Sequence, residues 1–323
     1  MHDRVSRRRR RRRNPYAGLI HLLNKRYHDE WQRAELLQND LNGLQGSKFA
    51  KAAEWLRVQL RRFIPHPAIV PKFITEKAEP YRGPETTVPD ARVSLIIPFR
   101  DRPELLRNCL RSLRRSTFRN TEIVLVDNGS ESPRTGRLLA SIGARQNVRL
   151  VSCPGPFNFS LLCNAGVARA TGDHLLFLNN DTEVFTRDWI ERLLLLAADP
   201  AVGAVGATLL YPDRTIQHAG LFPRSDGTWV HPYRGHPEDE PGADGELRIV
   251  RTVPAVTAAC MLVRRDVFED VGGFDENLPL SLNDADLCRR IRAKGRSIVV
   301  TPHVRMFHYE GLSRGFTVDP TMA

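Results

Sequence analysis

The sequence holds no cysteine pair at metal-ligand or redox spacing. Cys109, Cys153, Cys163, Cys260 and Cys288 are scattered, odd in number and form no CxxC pair. That excludes a disulfide framework and a zinc module, and reads as a reducing, cytoplasmic compartment. Long apolar runs are missing too. No stretch approaches the roughly 18 residues of a membrane span. The basic N-terminus lacks the apolar core and small-residue cleavage site of a secretory signal, so the chain reads as soluble or at most peripheral. No internal repeat points to a solenoid or propeller.

What is present is a chain of 323 residues, 41% hydrophobic and 26% charged, enough for one sizeable core plus an appendage. A formal net charge of +11 favours anionic partners: nucleotide sugars, nucleic acid or an acidic membrane surface. Much of that charge is the unbroken arginine run at 7–13. Like charges at this density repel, so the tail at 1–14 is expected to be disordered. No aromatic residues interleave with the arginines as a base-stacking platform requires, which makes nucleic acid an unlikely partner.

The stretch 15–63 turns helical. Phe49, Ala53, Leu56, Leu60 and Phe63 recur at spacings of three and four, with Lys48, Lys51, Arg57, Arg61 and Arg62 between them. This basic amphipathic helix has two readings. Its stripe packs on the rest of the protein, the commoner case, or it makes a peripheral contact with an anionic membrane. Pro65, Pro67, Pro71, Pro80, Pro84 and Pro89 then punctuate 64–92, which reads as a linker.

From Val93 the pattern alternates. Apolar, β-branched runs at 93–97, 122–126, 148–151, 174–178 and 202–210 read as buried strands. Helical stretches follow Pro103 and cover 161–170 and 189–198. Strand, helix, strand is a βαβ unit with a parallel sheet. Residues 211–250 read as loops and short strands. Regular structure resumes over 253–263, with helices at 266–271 and 284–294 and a strand at 298–301.

In an open parallel sheet, ligands bind beyond the carboxyl ends of the strands where strand order reverses. Three strands end in polar residues there: Pro98-Phe99-Arg100-Asp101, Asp127-Asn128-Gly129-Ser130 and Asn179-Asn180-Asp181-Thr182-Glu183. A carboxylate such as Asp127, held by a buried strand, can accept hydrogen bonds from a base or ribose. Asp181 follows the long apolar strand at 174–178. Mg²⁺ or Mn²⁺ bound with a nucleotide needs only one or two protein carboxylates, so one Asp suffices. Taken singly, each of these is equally an ordinary turn or cap. A second acidic group, Asn283-Asp284-Ala285-Asp286, opens a helix. Residues two apart on a helix point to nearly opposite sides, so Asp284 and Asp286 cannot serve the same atom. Near the end, His303 and His308 stand beside Arg305, Glu310, Ser313 and Arg314, groups able to ligate a borderline metal or hold phosphate.

Taken in order, these motifs resemble the family 2 glycosyltransferases of the GT-A fold, particularly the bacterial branch that builds surface polysaccharides. The resemblance runs from Val93 to Gly315 and also rests on Asn164-Ala165-Gly166, Thr171-Gly172-Asp173, Gly272-Gly273-Phe274-Asp275 and Asp284-Ala285-Asp286-Leu287-Cys288. It implies an α/β fold, a Rossmann-like, mixed and mostly parallel sheet flanked by helices over 93–315, behind the N-terminal helical extension and ahead of a short tail at 316–323. It implies inverting transfer of a sugar from a nucleotide-diphosphate donor to a saccharide or lipid-linked acceptor, at the inner face of the plasma membrane or in the cytoplasm. Pro98, Arg100, Asp127, Asn158, Asn164 and Asn180 would serve the nucleotide. Asp181 and His308 would hold Mn²⁺ or Mg²⁺, and Asp284 would be the catalytic base. Asn179 stands where the family usually has the first Asp of Asp-x-Asp, and Asn283 where it usually has Glu, so the choice between Asp284 and Asp286 stays open. A metal-dependent nucleotidyltransferase shares the sheet and metal carboxylate but calls for a Gly-rich phosphate loop, which 99–103 is not. A basic nucleic-acid-binding protein would rely on the arginine tail.

Overall fold

A computed structural model describes Ile74 and residues 76–143, 146–242 and 245–309. The basic tail, the helical stretch at 15–63 and the residues from 310 onward, with Glu310, Ser313 and Arg314, lie outside them. Among the described residues no helix is long and apolar enough to cross a membrane.

The sheet begins as the sequence predicts. Strands β2 (Val93–Phe99), β3 (Thr121–Asp127), β4 (Val148–Ser152) and β5 (His174–Leu178) lie in the order β5-β2-β3-β4, all parallel. Strand order reverses between β2 and β5. Beyond β5 come β12 (Cys260–Arg264), antiparallel to both neighbours, then β7 (Val202–Leu210) and β13 (Ser297–His308), parallel to one another. β11 (Arg251–Thr252) and β1 (Glu79–Pro80) close that edge. β6 (Thr182–Val184) pairs with β13, and β8 (Ile216–His218) with β7. β9 (Phe222–Pro223) and β10 (Trp229–Val230) form a small separate ribbon. The result is the mixed, mostly parallel sheet expected.

Side chains alternate across a strand, and β2 shows the consequence. Val93, Leu95, Ile97 and Phe99 pack with helices α1 (Pro103–Leu113), α2 (Pro133–Gly143) and α4 (Trp189–Ala197). On the other face, Ile96 joins α3 (Phe159–Val167), α5 (Arg265–Asp270) and α6 (Asn283–Ala293). Both faces are covered, hence the near-continuous apolar strands. Gly166 makes the second layer fit: a Cβ there would lie 2.5 Å from Ile96 Cγ2 and 2.9 Å from Val126 Cγ2.

Three features differ from the sequence reading. Helix α2 falls where no element was expected; Gly136 and two arginines, Arg134 and Arg137, occupy its first turns, leaving a narrow stripe of Thr135, Leu138 and Ile142 to face the core. The stretch 253–263 is not one element, because an irregular segment separates β11 from β12. The last strand does not stop at 301. It runs to His308, with Pro302, His303 and Val304 passed over in a register shift against β7 between Thr301 and Arg305. Within the segment read as a linker, β1 adds to the sheet edge, and the Tyr81 hydroxyl donates to Asp199 at 2.7 Å.

The amino-end edge of the sheet carries a buried charge cluster. Glu122, 1% exposed, accepts from Ser94 Oγ at 2.6 Å, from Thr171 N and Oγ1, and from Arg149 Nε at 2.9 Å. Gly172 N donates to Ser94 Oγ, and Arg92 N to Asp173. Thr171-Gly172-Asp173 is thus a lock between β2, β3 and β5, on the edge away from the polar strand ends. Burial alone would raise the Glu122 pKa, but these hydrogen bonds outweigh it and bring it down to about 2. A depressed carboxylate stabilises the fold above its ordinary titration range, and that contribution is lost as pH falls toward the folded value. Glu122→Ala is therefore expected to cost about 3 kcal/mol at neutral pH in chemical denaturation. The difference from the parent should shrink between about pH 4.5 and pH 2; a pH-independent difference would contradict this account.

Candidate active site

The polar ends of β2, β3 and β5 share one rim, at the reversal of strand order. After β2 the chain turns through Asp101 and Arg102, both in left-handed conformation at φ 49° and 51°. Asp101 Oδ1 accepts from Ser132 N at 2.8 Å and Glu131 N at 3.1 Å, tying this turn to the start of α2. Asp127 Oδ1 accepts from Ser130 N at 2.8 Å, an Asx turn that Gly129 permits with φ 72°. Asn128 is buried, and its amide donates to the carbonyls of Cys153 and Gly155. Asp127 is thereby left half-buried at the mouth with its orientation set. Arg100 is exposed on the same rim, 3.5 Å from Glu131, whereas Pro98 is buried inside β2 opposite Val126.

Asn158 and Asn164 are carried by α3, the helix that follows β4. Asn158 caps the helix by accepting from Leu161 N, and its amide donates to Glu276 O. Asn164 donates to Phe274 O and accepts from Phe274 N. The two side chains brace the 274–276 loop, which leads into the turn before α6.

The turn after β5 buries Asn180 and Asp181, at 4% and 2% exposure. Antiparallel pairing of β6 with β13 sets His308 opposite Thr182, and Tyr309 N donates to Asp181 O at 2.9 Å. His308 Nε2 consequently lies 3.2 Å from Asp181 Oδ1 and 3.1 Å from Asn179 Nδ2. His303 and Arg305 alternate to the other side of the strand; His303 is exposed, and Arg305 Nε donates to Pro302 O. Among the described residues no group of three or more His, Cys, Asp or Glu gathers. A carboxylate and an imidazole converging at 3.2 Å, with an amide alongside, still fit a divalent cation that takes its remaining ligands from a nucleotide and water.

Asp284 reaches the same region from α6. The helix is entered through Leu282 in left-handed conformation, φ 61°. Asp284 accepts from Ala285 N at 2.8 Å, from the Thr257 hydroxyl and from Ala258 N. The next residue, Ala259, accepts from Asn179 N at 3.1 Å. A three-residue segment therefore touches Asp284 at one end and the Asp181 turn at the other. Burial pushes the Asp284 carboxyl up, against the opposing pull of those hydrogen bonds. Asp286 faces away, paired with Arg289 at 2.8 Å and Arg290 at 2.7 Å. The structure brings Asp127, Asp181 and His308 to the carboxyl-end rim and ties Asp284 to it, although Asp284 lies 157 residues beyond Asp127 in sequence.

Sequence reasoning missed Gln217, His218, His231 and Thr257. Gln217 Oε1 lies 2.7 Å from His308 Nδ1. His218 is buried, which drives its imidazole well below the usual range; its Nδ1 lies 2.9 Å from His231 Nδ1, and Thr257 N donates to its Nε2 at 3.4 Å. The stretch 211–250, which holds the first three, has too weak a periodicity to reveal them. Consecutive polar residues in a segment as short and as buried as β8 are the one available signal.

Comparison with known proteins places the chain in a family. The chain is 39% identical over 231 residues to an uncharacterized protein, y4gI, of Sinorhizobium fredii, covering 71% of this chain and 25% of that one. It is 40% identical over 225 residues to the O-antigen biosynthesis protein RfbC of Myxococcus xanthus, covering 69% and 18%. The chain thus spans a quarter or less of the length of these relatives. A solved mannosyltransferase from Pyrobaculum calidifontis, in complex with GDP-Man and Mn²⁺, superposes with a TM-score of 0.55 at 16% identity, over 81% of this chain and 65% of that one, a likeness of fold. Residues 94–272 match the model of glycosyl transferase family 2, more than half of the chain, and the protein belongs to that family.

Proposed function

We propose that the chain transfers a sugar, with inversion, from a nucleotide-diphosphate donor to an acceptor hydroxyl. The observation that carries this reading is the link, through 257–259, between a half-buried carboxylate of raised pKa and the Asp181–His308 pair. Asp127 accepts from the base or ribose of the donor, and Arg100, exposed on the same rim, reaches its phosphates. Asn180 Nδ2 is buried with no partner among the described residues and offers a donor toward the nucleotide. Pro98 stands next to last in the buried strand that carries Arg100 to the rim, and Asn158 and Asn164 support the loop at 274–276. Asp181 and His308 hold Mn²⁺ or Mg²⁺, which when bound supplies the positive charge that offsets the departing diphosphate.

Asp284 takes the proton of the acceptor hydroxyl as that oxygen bonds to the anomeric carbon, while the bond from that carbon to the diphosphate oxygen breaks. A base works best with a pKa near the working pH, and burial moves Asp284 in that direction. Asp286 is instead engaged by Arg289 and Arg290. The name of the Myxococcus relative supports an acceptor in surface-polysaccharide synthesis, a saccharide or a lipid-linked one. Such an acceptor fits work at the cytoplasmic face of the plasma membrane.

Release of nucleoside diphosphate from a panel of nucleotide sugars, with and without Mn²⁺ or Mg²⁺, tests the reading. Asp284→Asn is expected to keep donor binding and lose at least about a hundredfold in turnover; turnover near the parent's would remove Asp284 from the mechanism. Asp181→Ala should weaken donor binding only when the divalent cation is present, and an equal loss in chelator would contradict the metal role. Because Asp284 acts ionised, kcat/KM should fall as pH drops through its raised pKa. Thr257→Val, which removes a hydrogen bond favouring the ionised form, should move that acid limb to higher pH. An unmoved limb would mean that another group titrates.

A further inference from the structure

Gln217 lies in β8, 5% exposed, and meets His308 twice. Its Nε2 donates to the backbone carbonyl of His308 at 3.4 Å, and its Oε1 lies 2.7 Å from His308 Nδ1. The two contacts together fix what neither does alone. A carbonyl oxygen only accepts, so the amide NH₂ must face it, and the amide oxygen is then turned toward the ring. An amide oxygen also only accepts, so the hydrogen of that 2.7 Å contact must sit on Nδ1. The neutral imidazole then carries its lone pair on Nε2, the nitrogen that faces Asp181 Oδ1 at 3.2 Å. Asn179 Nδ2, at 3.1 Å from Nε2, is a donor and matches a bare nitrogen there.

The backbone holds this arrangement from two sides. β8 is fixed on β7 by the pairing of Leu209 with His218, and β13 by the pairing of Phe307 with Leu210. Gln217 and His308 are thus carried by strands that flank the same neighbour, 91 residues apart in sequence.

We propose that Gln217 is a positioning residue: by accepting from Nδ1 it locks His308 in the tautomer whose Nε2 lone pair is directed, with Asp181, at a divalent cation. The proposal rests on the metal reading of Asp181 and His308 given above. Partners of this kind behind a ligating histidine are typically worth about 10- to 100-fold in metal affinity.

Binding of Mn²⁺ alone, read by electron paramagnetic resonance, tests this without reference to turnover. Gln217→Leu, similar in size but with no acceptor, should lower Mn²⁺ affinity by about 10- to 100-fold, and Gln217→Glu, which restores an acceptor for Nδ1–H, should recover most of it. Unchanged affinity in Gln217→Leu, or equal loss in both variants, would overturn the proposal. His308→Ala separates the two layers. If it abolishes binding while Gln217→Leu binds as the parent does, the positioning role alone fails. If the parent binds no Mn²⁺, or binds it equally without His308, the metal reading fails and takes the proposal with it. Long-range ¹H–¹⁵N spectra of the parent protein need no variant to fold: the proton of the neutral His308 ring is expected on Nδ1, and a ring protonated on Nε2 with Nδ1 bare would overturn the assignment.

Discussion

The antiparallel pairing of β6 with β13 is the constraint on which the site depends. It sets His308 opposite Thr182, one residue from Asp181, and so brings the imidazole to within 3.2 Å of that carboxylate. For the pairing to form, β13 must continue past Pro302. Proline cannot donate to a sheet ladder and is confined to edges, first residues and bulges. The protein accommodates it by passing over Pro302, His303 and Val304, after which Arg305, Met306 and Phe307 resume pairing with Thr208, Leu209 and Leu210. The irregularity lets one strand serve two partners, β7 along its length and β6 at its end. Bulges recur beside active sites, where they re-aim a side chain.

The two edges of the sheet divide their work. At the amino ends, the buried Glu122 joins β2, β3 and the Thr171-Gly172 turn in one hydrogen-bonded network, an arrangement suited to stability. At the carboxyl ends, Asn180 Nδ2 is buried with no partner among the described residues, burial pushes the Asp284 carboxyl up, and Leu282 enters α6 in a left-handed conformation. Strain and an unpartnered donor at this rim, tolerated because the two apolar layers hold the fold, suit a ligand site.

Much of this was legible in the sequence, for physical reasons. Strands covered on both faces must be largely apolar, so β2, β3, β5 and β7 announce themselves, and the polar residues that follow β2, β3 and β5 mark the rim. Pro103 marks the first turn of α1. The elements that escaped are those whose signal is carried by tertiary context. Helix α2 buries only Thr135, Leu138 and Ile142 and holds Gly136 in its first turns. β13 is interrupted by a proline that reads as a stop. β8 has three residues, two of them polar, and nothing in their spacing tells that they contact His308 and Thr257. Asn158 and Asn164 were legible as important positions, but the partners of their amides, at 274–276, come from a distant loop.

The central claim is that residues from four separate strand ends and one helix start converge on a single cleft that holds a nucleotide diphosphate with its cation. A crystal grown with Mn²⁺ and a nucleoside diphosphate, examined by anomalous diffraction at the manganese edge, tests it most directly. The account predicts one manganese peak between the Asp181 carboxylate and the His308 imidazole, with the diphosphate beside it and the base against Asp127. Manganese elsewhere, or a nucleotide bound away from this rim, would contradict it.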